Sequence, residues 1–486
     1  MALGTFPWTE RSSLLELLSI YRGDNVASRW ARALCAIAEA RILCRAGGLL
    51  QALRMARESG RLTPDASVRS DVLCIRGDVA MARGLFLHAR KLYSRSMRAR
   101  IRNADAAIHR RMLLMRFIRA CLKLDESLPI NRAIQKLASF STGNLGADFE
   151  QSLLRIEAGM SCISSQAAAL SRLATGTGHV SIACELALAM SGAAIRHGDL
   201  ASAAPVVTMV SRFSDQLNDI ILASDATLLC AEMGFQRGEC AQTVRDARFI
   251  KRLLRKNRIG EKHLRIDVLR AKLCFYHGRF SKALKLSLRI LDLSHVGSAR
   301  VTSDAIGLLV GCLVMAGRLT TAENLVLSCC SAASMRARPS AALHGSLLLA
   351  GLHYAKRAGR KGDDVCRELR PVVQLQKNAR ESIVHLLLQA EAAWIERKPD
   401  QAIRVAREAL ENASAMENHL LGAISAYQML KGYALYGKNW KTSRHLRWAT
   451  YNYPIGETIM WRQAREALVH HRFPDSCLRP LPAFPW

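Results

Sequence analysis

The small and apolar positions of this chain recur in a fixed order. A glycine is followed after one residue by a bulky apolar side chain, after two more by an alanine, and four later by a small or apolar residue. The order appears at Gly47, Leu49, Ala52, Ala56 and at Gly84, Phe86, Ala89, Tyr93. It returns at Gly198, Leu200, Ala203, Val207, and more weakly at Gly238, Cys240, Thr243, Ala247. Gly278, Phe280, Ala283, Ser287 and Gly317, Leu319, Ala322, Val326 follow. Late copies are Arg397, Pro399, Ala402, Ala406, without the glycine, and Gly437, Trp440, Ser443, with one residue inserted. From Gly198 through Gly317 the spacings are 40, 40 and 39, and Arg397 to Gly437 is again 40. A phase held over that length marks a repeat architecture. Gly159 and a stretch near Leu128 to Leu137 fall close to the missing places between Gly84 and Gly198, and the unit around Gly359 is blurred.

Each element of the pattern has a steric reading. Glycine accepts a left-handed conformation, so a helix can end there and the chain reverse within a few residues. Alanines four apart share one helical face and let two helix axes approach. Small residues upstream of the turns, such as Gly77 with Ala80 and Ala390 with Ala393, lie on one face of the preceding helix. Each unit therefore reads as helix, short turn, helix, and stacking neighbours buries the apolar face that a lone hairpin exposes.

These residues, best at Gly77, Ala80, Gly84, Phe86, Ala89 and Tyr93, resemble the tetratricopeptide repeat. That repeat is about 34 residues long, so the units here are longer. In length they are similar to the repeat domain of MalT-type bacterial transcription regulators. The resemblance implies an all-α fold, a right-handed superhelix or α-solenoid of tetratricopeptide-like hairpins with a period near 40. It also implies binding rather than catalysis, in a sensor or scaffold portion, since neither a phosphate-binding loop nor a second DNA-binding module is visible. The expected divisions are a cap segment 1–24, the solenoid 25–455, and a capping helix with a proline-rich tail 456–486. The tail, with Pro474, Pro480, Pro482 and Pro485, reads either as a segment that packs on the last hairpin or lies in the groove, or as a disordered end. The structural positions expected to hold the stack are Gly84, Phe86, Ala89, Gly278, Phe280, Ala283, Gly317, Leu319 and Ala322.

Composition agrees with such an array and adds one feature, its charge. Apolar residues are 50% of the 486 and aromatics only 6%, which suits helices packed through small side chains. Against 40 Asp plus Glu stand 70 Lys plus Arg, a formal charge of +30. That charge points to an acidic protein, a nucleic acid or an anionic surface as partner, or to an arginine bias spread over solvated faces. Fourteen cysteines lie singly except Cys329 and Cys330, with neither a disulfide framework nor zinc-ligand spacing, so a reducing compartment is expected. Met1 to Arg11 has no signal-peptide pattern, and no apolar run approaches the length of a membrane span. A cytoplasmic protein is expected.

No nucleophile elbow, paired carboxylates in a glycine-rich loop, metal-binding helix motif or dinucleotide fingerprint is present, so neither catalysis, a cofactor nor a metal is expected. His344 and His353 read as packing residues. The basic runs carry more information. Arg248, Lys251, Arg252, Arg255, Lys256, Arg258 and Lys262 read as one helical face, with Phe249, Ile250, Leu253 and Leu254 turned the other way. Arg95, Arg98, Arg100, Arg102, Arg110 and Arg111 form a second run; Lys356, Arg357, Arg360 and Lys361 form a third on an expected loop. Lining the concave groove, they would take a phosphate backbone or an acidic peptide; on outer helices they would serve solubility. Aromatic residues for base stacking are thin among them, and no column of equivalent polar residues marks a base reader. The leading expectation is a scaffold that binds a protein or peptide, acidic by one reading, in its concave face. The alternative is a helical-repeat protein that grips nucleic acid through the phosphate backbone.

Overall fold

A computed structural model describes residues 28–45, 48–99, 199–216, 220–257, 260–293, 299–329, 346–353, 361–368 and 379–435, with single positions in 110–124 and 184–195. Segments 1–24 and 456–486, together with Gly47, Gly159, Gly198, Gly359 and Gly437, lie outside them. The described residues are almost entirely helical and contain no strand. The helices are α1 (Arg29–Arg45), α2 (Leu49–Leu62), α3 (Ala66–Ala82), α4 (Phe86–Met97), α5 (Leu200–Gln216), α6 (Ile220–Gln236) and α7 (Cys240–Asn257). They continue as α8 (Gly260–Tyr276), α9 (Phe280–Asp292), α10 (Ala299–Met315), α11 (Leu319–Cys329), α12 (Ala379–Ile395), α13 (Pro399–Ala415) and α14 (His419–Leu435). Consecutive helices pack as hairpins, and hairpins stack in chain order, which is the α-solenoid of tetratricopeptide-like units that the phased pattern predicts.

The turns form as their residues require. Gly84, Gly238, Gly278 and Gly317 all have φ between 73° and 78°, the left-handed region. The residue after each turn donates its N–H to the carbonyl five back, as in Leu85 to Ala80 (2.9 Å) and Arg279 to Cys274 (2.8 Å), which satisfies carbonyls at the helix end. Where the glycine is lost, Arg397 takes φ 58° and Lys398 bonds to Ala393 in the same way. Pro399 then opens α13, where its missing N–H costs nothing.

The second helix of each pair buries a stripe at fixed register. Five residues beyond the turn position sit Ala52, Ala89, Ala203, Thr243, Ala283, Ala322 and Ala402, all buried. Nine beyond sit Ala56, Tyr93, Val207, Ala247, Ser287, Val326 and Ala406, also buried. A third buried rank, twelve beyond, is not part of the sequence pattern: Ser59, Ser96, Val210, Ile250, Ile290 and Ala409. Its small members sit where backbones approach, and the hydroxyls there are satisfied, Ser59 by the Ala33 carbonyl (3.0 Å) and Ser96 by the Ser70 carbonyl (2.8 Å). Phe86 is fully inside, whereas Phe280 and Leu319 are only half-buried and lean on the core from the hairpin end.

The curvature of the stack decides which helices face inward. First helices of successive units touch one another, α1 with α3, α6 with α8 and α8 with α10, while among the described residues no pair of second helices is in comparable contact. The first helices therefore line the inner, concave side and the second helices the outer side. The inner helices meet across the curve as well: α14 packs on α6 and continues one hydrophobic core that runs from Leu228 to Met429. Leu420 through Met429 are buried without a break, as expected of a helix enclosed on all sides.

That contact is specific. Asn418 caps α14 by accepting the Leu421 N–H (3.1 Å), and its amide donates to the buried Gln236 Oε1 (3.1 Å) on α6. Gln236 in turn donates to the Ile195 carbonyl (3.5 Å). Arg237 pairs with Glu417 (2.8 Å), His419 Nδ1 lies 3.2 Å from the Arg237 carbonyl, and Leu200 N–H donates to the Met416 carbonyl (3.4 Å). The turn before α14 thus docks against the turn after α6, and this part of the stack closes on itself instead of continuing as an open rod.

Candidate functional site

The two sides of the stack treat charge differently. On the inner side, polar groups of one first helix are paired with those of the next. Lys262 on α8 meets Asp225 (2.9 Å) and Ser224 Oγ (2.6 Å) on α6, and Arg265 meets Glu232 (2.6 Å). Lys272 on α8 meets Asp304 on α10 (3.2 Å); inside the closed part, out of reach from the inner face, the buried Gln428 on α14 donates to the buried Glu391 on α12 (2.6 Å). Near the N-terminal end, Arg41 on α1 pairs with Asp71 on α3, and Asp78 on α3 accepts from Arg116 (3.0 Å) and from the Tyr93 hydroxyl (2.8 Å). The inner face is therefore a ladder of alternating charges that neutralise one another, with half-buried Thr227, His263 and Thr302 between them.

The basic residues singled out in the sequence divide accordingly. The run from Arg248 to Lys262 is not one helix: α7 ends at Asn257 and α8 begins at Gly260. Arg248 and Arg252 are exposed on α7, an outer helix, and Lys251 is half-buried there. Arg255 and Lys256 belong to the last turns of α7, and Arg258 lies outside the described residues. Lys262 is corrected, since it is 8% exposed and committed to its contacts with α6. Arg98 is exposed at the C-cap of outer helix α4, while Arg100 and Arg102 lie outside the described residues. Lys361 opens the helical stretch 361–368 rather than a loop; Lys356, Arg357 and Arg360 are not among the described residues. The exposed members thus stand on second helices and do not converge on the concave face.

Phe249 is a second correction. It was expected on the apolar side of its helix with Ile250 and Leu254, which are indeed fully buried, yet Phe249 is 49% exposed. The inward stripe of α7 is Thr243, Ala247, Ile250 and Leu254, and Phe249 lies outside it, four residues after Arg245 and three before Arg252. Those spacings place all three side chains on one face. An aromatic ring therefore stands among the cations, where the sequence suggested none.

Register also reveals a column invisible without it. Seven residues beyond the turn position come Arg54, Lys91, Arg245, Lys285 and Arg404, all exposed, interrupted by Pro205 and Asn324. On α7 and α9 the outer surface is strongly cationic, with Arg245, Arg248, Arg252, Arg279, Lys282, Lys285 and Arg289 against Glu239 and Asp292 as the exposed carboxylates.

Among the described residues no three of His, Cys, Asp and Glu cluster as metal ligands. Burial pushes the Cys74 and Cys312 thiols up to about 12, far from the thiolate a nucleophile needs. His353 stands half-buried with Nδ1 3.8 Å from Glu323; His344 lies outside the described residues. No helix among the described residues is long and apolar enough to cross a membrane.

No family model and no curated protein matches the chain. Among solved structures it is similar to a Rap protein complexed with competence and sporulation factor (11% identity, TM-score 0.41), covering 90% of this chain and 99% of that one. It is also similar to the Cut9–Hcn1 hetero-tetramer of APC/C (13%, TM-score 0.41), covering 97% and 99%. A third is a signal-transduction ATPase with a tetratricopeptide repeat sensor from Pyrococcus horikoshii (12%, TM-score 0.39), covering 96% and 74%. At these identities and scores the likeness goes no further than a general arrangement of stacked helices.

Proposed function

We propose that the chain is a non-enzymatic scaffold that holds a protein or peptide against its inner face. The observation that supports this most directly is the ladder of paired side chains on successive first helices. Half-buried groups such as Arg265, Glu232 and Asp304 are fixed in place before any ligand arrives, so little side-chain entropy is lost on contact. Because those charges alternate, the groove favours a mixed or neutral segment over a strongly acidic one. The acidic partner inferred from net charge therefore belongs to the outer side. In the setting the resemblance implies, such a scaffold would serve bacterial signalling or transcriptional regulation.

The test is photocrosslinking in the native cell, with a photoreactive residue placed at Thr302 on inner α10 or at Thr320 on outer α11. Capture of one discrete protein from position 302 but not from 320 is the expected result. Capture from 320 alone would move the partner to the outside and defeat this reading.

Phosphate-backbone binding is the second reading, and Phe249 among the outer arginines is what favours it. Neutralising several phosphates releases counterions, so affinity for random RNA should fall by about 10³ or more between 50 and 200 mM salt. A response flat over that interval removes the nucleic-acid reading.

A further inference from the structure

We propose that the outer face of α5 through α11 seats the molecule on an anionic lipid bilayer, leaving the inner groove turned away from the membrane. This goes beyond the scaffold reading and stands on separate residues. Four consecutive second helices each expose one large apolar side chain at the same level: Met209 (44% exposed), Phe249 (49%), Leu288 (46%) and Leu327 (51%). Met209 and Phe249 come eleven residues after Gly198 and Gly238; Leu288 and Leu327 come ten after Gly278 and Gly317. Three other second helices among the described residues lack such a side chain at this level. At the corresponding places α2 carries Arg57 and Glu58, α4 Ser94 and Arg95, and α13 Arg407 and Glu408.

The cations are distributed around that row. Arg245, Arg248 and Arg252 flank Phe249 on α7, and Lys282, Lys285 and Arg289 flank Leu288 on α9, with no ion pair to any of Arg248, Arg252, Lys282, Lys285 or Arg289 among the described residues. The described exposed side chains of α5 and α11 carry no charge, among them Pro205, Thr208, Thr321 and Asn324. A convex stack meets a flat surface along a narrow tangent, and the cationic zone is two helices wide, α7 and α9. Phosphate headgroups would meet Arg and Lys there while Phe249 and Leu288 enter the headgroup boundary.

Other anionic partners fit less well. Bases stack on flat rings or guanidinium planes, and three of the four projecting side chains are aliphatic. An acidic globular protein does not require one apolar side chain per repeat at constant height.

Flotation with vesicles of phosphatidylcholine, alone or mixed with phosphatidylserine, tests this. The intact chain should float with the mixed vesicles and remain behind with the neutral ones. Arg248→Glu with Lys285→Glu should lower partitioning by about ten-fold or more, and Phe249→Ser with Leu288→Ser by about three-fold or more. Neither pair touches the buried stripes, so melting temperatures should match the parent and exclude misfolding as the cause. Absence of flotation, equal binding to neutral vesicles, or a serine pair that binds as well as the parent would each overturn the proposal. Salt-dependent RNA binding without flotation would assign the same cations to nucleic acid. Crosslinking from Thr302 reads the groove independently, so either idea can fail alone.

Discussion

Asn418→Ala is expected to lower stability by about 2–4 kcal/mol and to open the closed part of the stack. Two losses combine. The N-cap of α14 goes, worth about 1 kcal/mol. Gln236 Oε1, buried against the turn, loses the amide donor it accepts from, and an unsatisfied buried acceptor costs about 1–3 kcal/mol. By contrast Glu417→Gln, which removes the neighbouring ion pair with Arg237, should cost under about 1 kcal/mol, because Glu417 is half in solvent and exposed pairs contribute little. Hydrogen exchange should report the alanine change first as lost protection in 220–237 and 419–429, since stacked repeats open locally before they unfold globally. Small-angle scattering should show a larger radius of gyration. If scattering and protection stay as in the parent, the contact between α6 and α14 is not what holds the curve closed.

Gly77→Ala is the second large effect, and its direction is contrary to local preference. Alanine is the better helix former by about 1 kcal/mol, so in isolation α3 would gain. A Cβ at position 77, however, would stand 2.3 Å from a ring carbon of Tyr93. That ring is 1% exposed, and its hydroxyl donates to Asp78, which also holds Arg116, so it has no free direction in which to move. Overpacking of this kind costs about 1–3 kcal/mol, and the net change should be destabilising. Tyr93→Leu shortens the opposing side chain, so the double variant should lose less than the sum of the two single ones. Strict additivity in thermal melts would show that the two positions are not in contact.

These two residues illustrate how much could be read from the chain alone. Gly77 stands out as a small residue upstream of a turn, but nothing local says that an aromatic ring on the next helix lies against it. Asn418 shows less still, because its partner is 182 positions away and belongs to no motif. The candidate surfaces behave similarly. Basic residues were countable, yet Lys262 and Arg248, read together as one face, fall on helices that line opposite sides of the stack. Phe249 was assigned inward with its neighbours Ile250 and Leu254; the fixed register of the buried stripe turns it out among the arginines.

The sequence by itself determined the local units. Glycine or a tolerated substitute at the left-handed turn, alanines four residues apart, and a period near 40 suffice to specify hairpins and the stripe each buries, because those are consequences of backbone sterics and helical periodicity over a few residues. Which side of a hairpin becomes the inside was decided only in three dimensions. It depends on how closely successive first helices approach, on charges that meet across units, and on where the curve brings α6 against α14. Contacts between distant segments set that curvature, and no short window of sequence contains them.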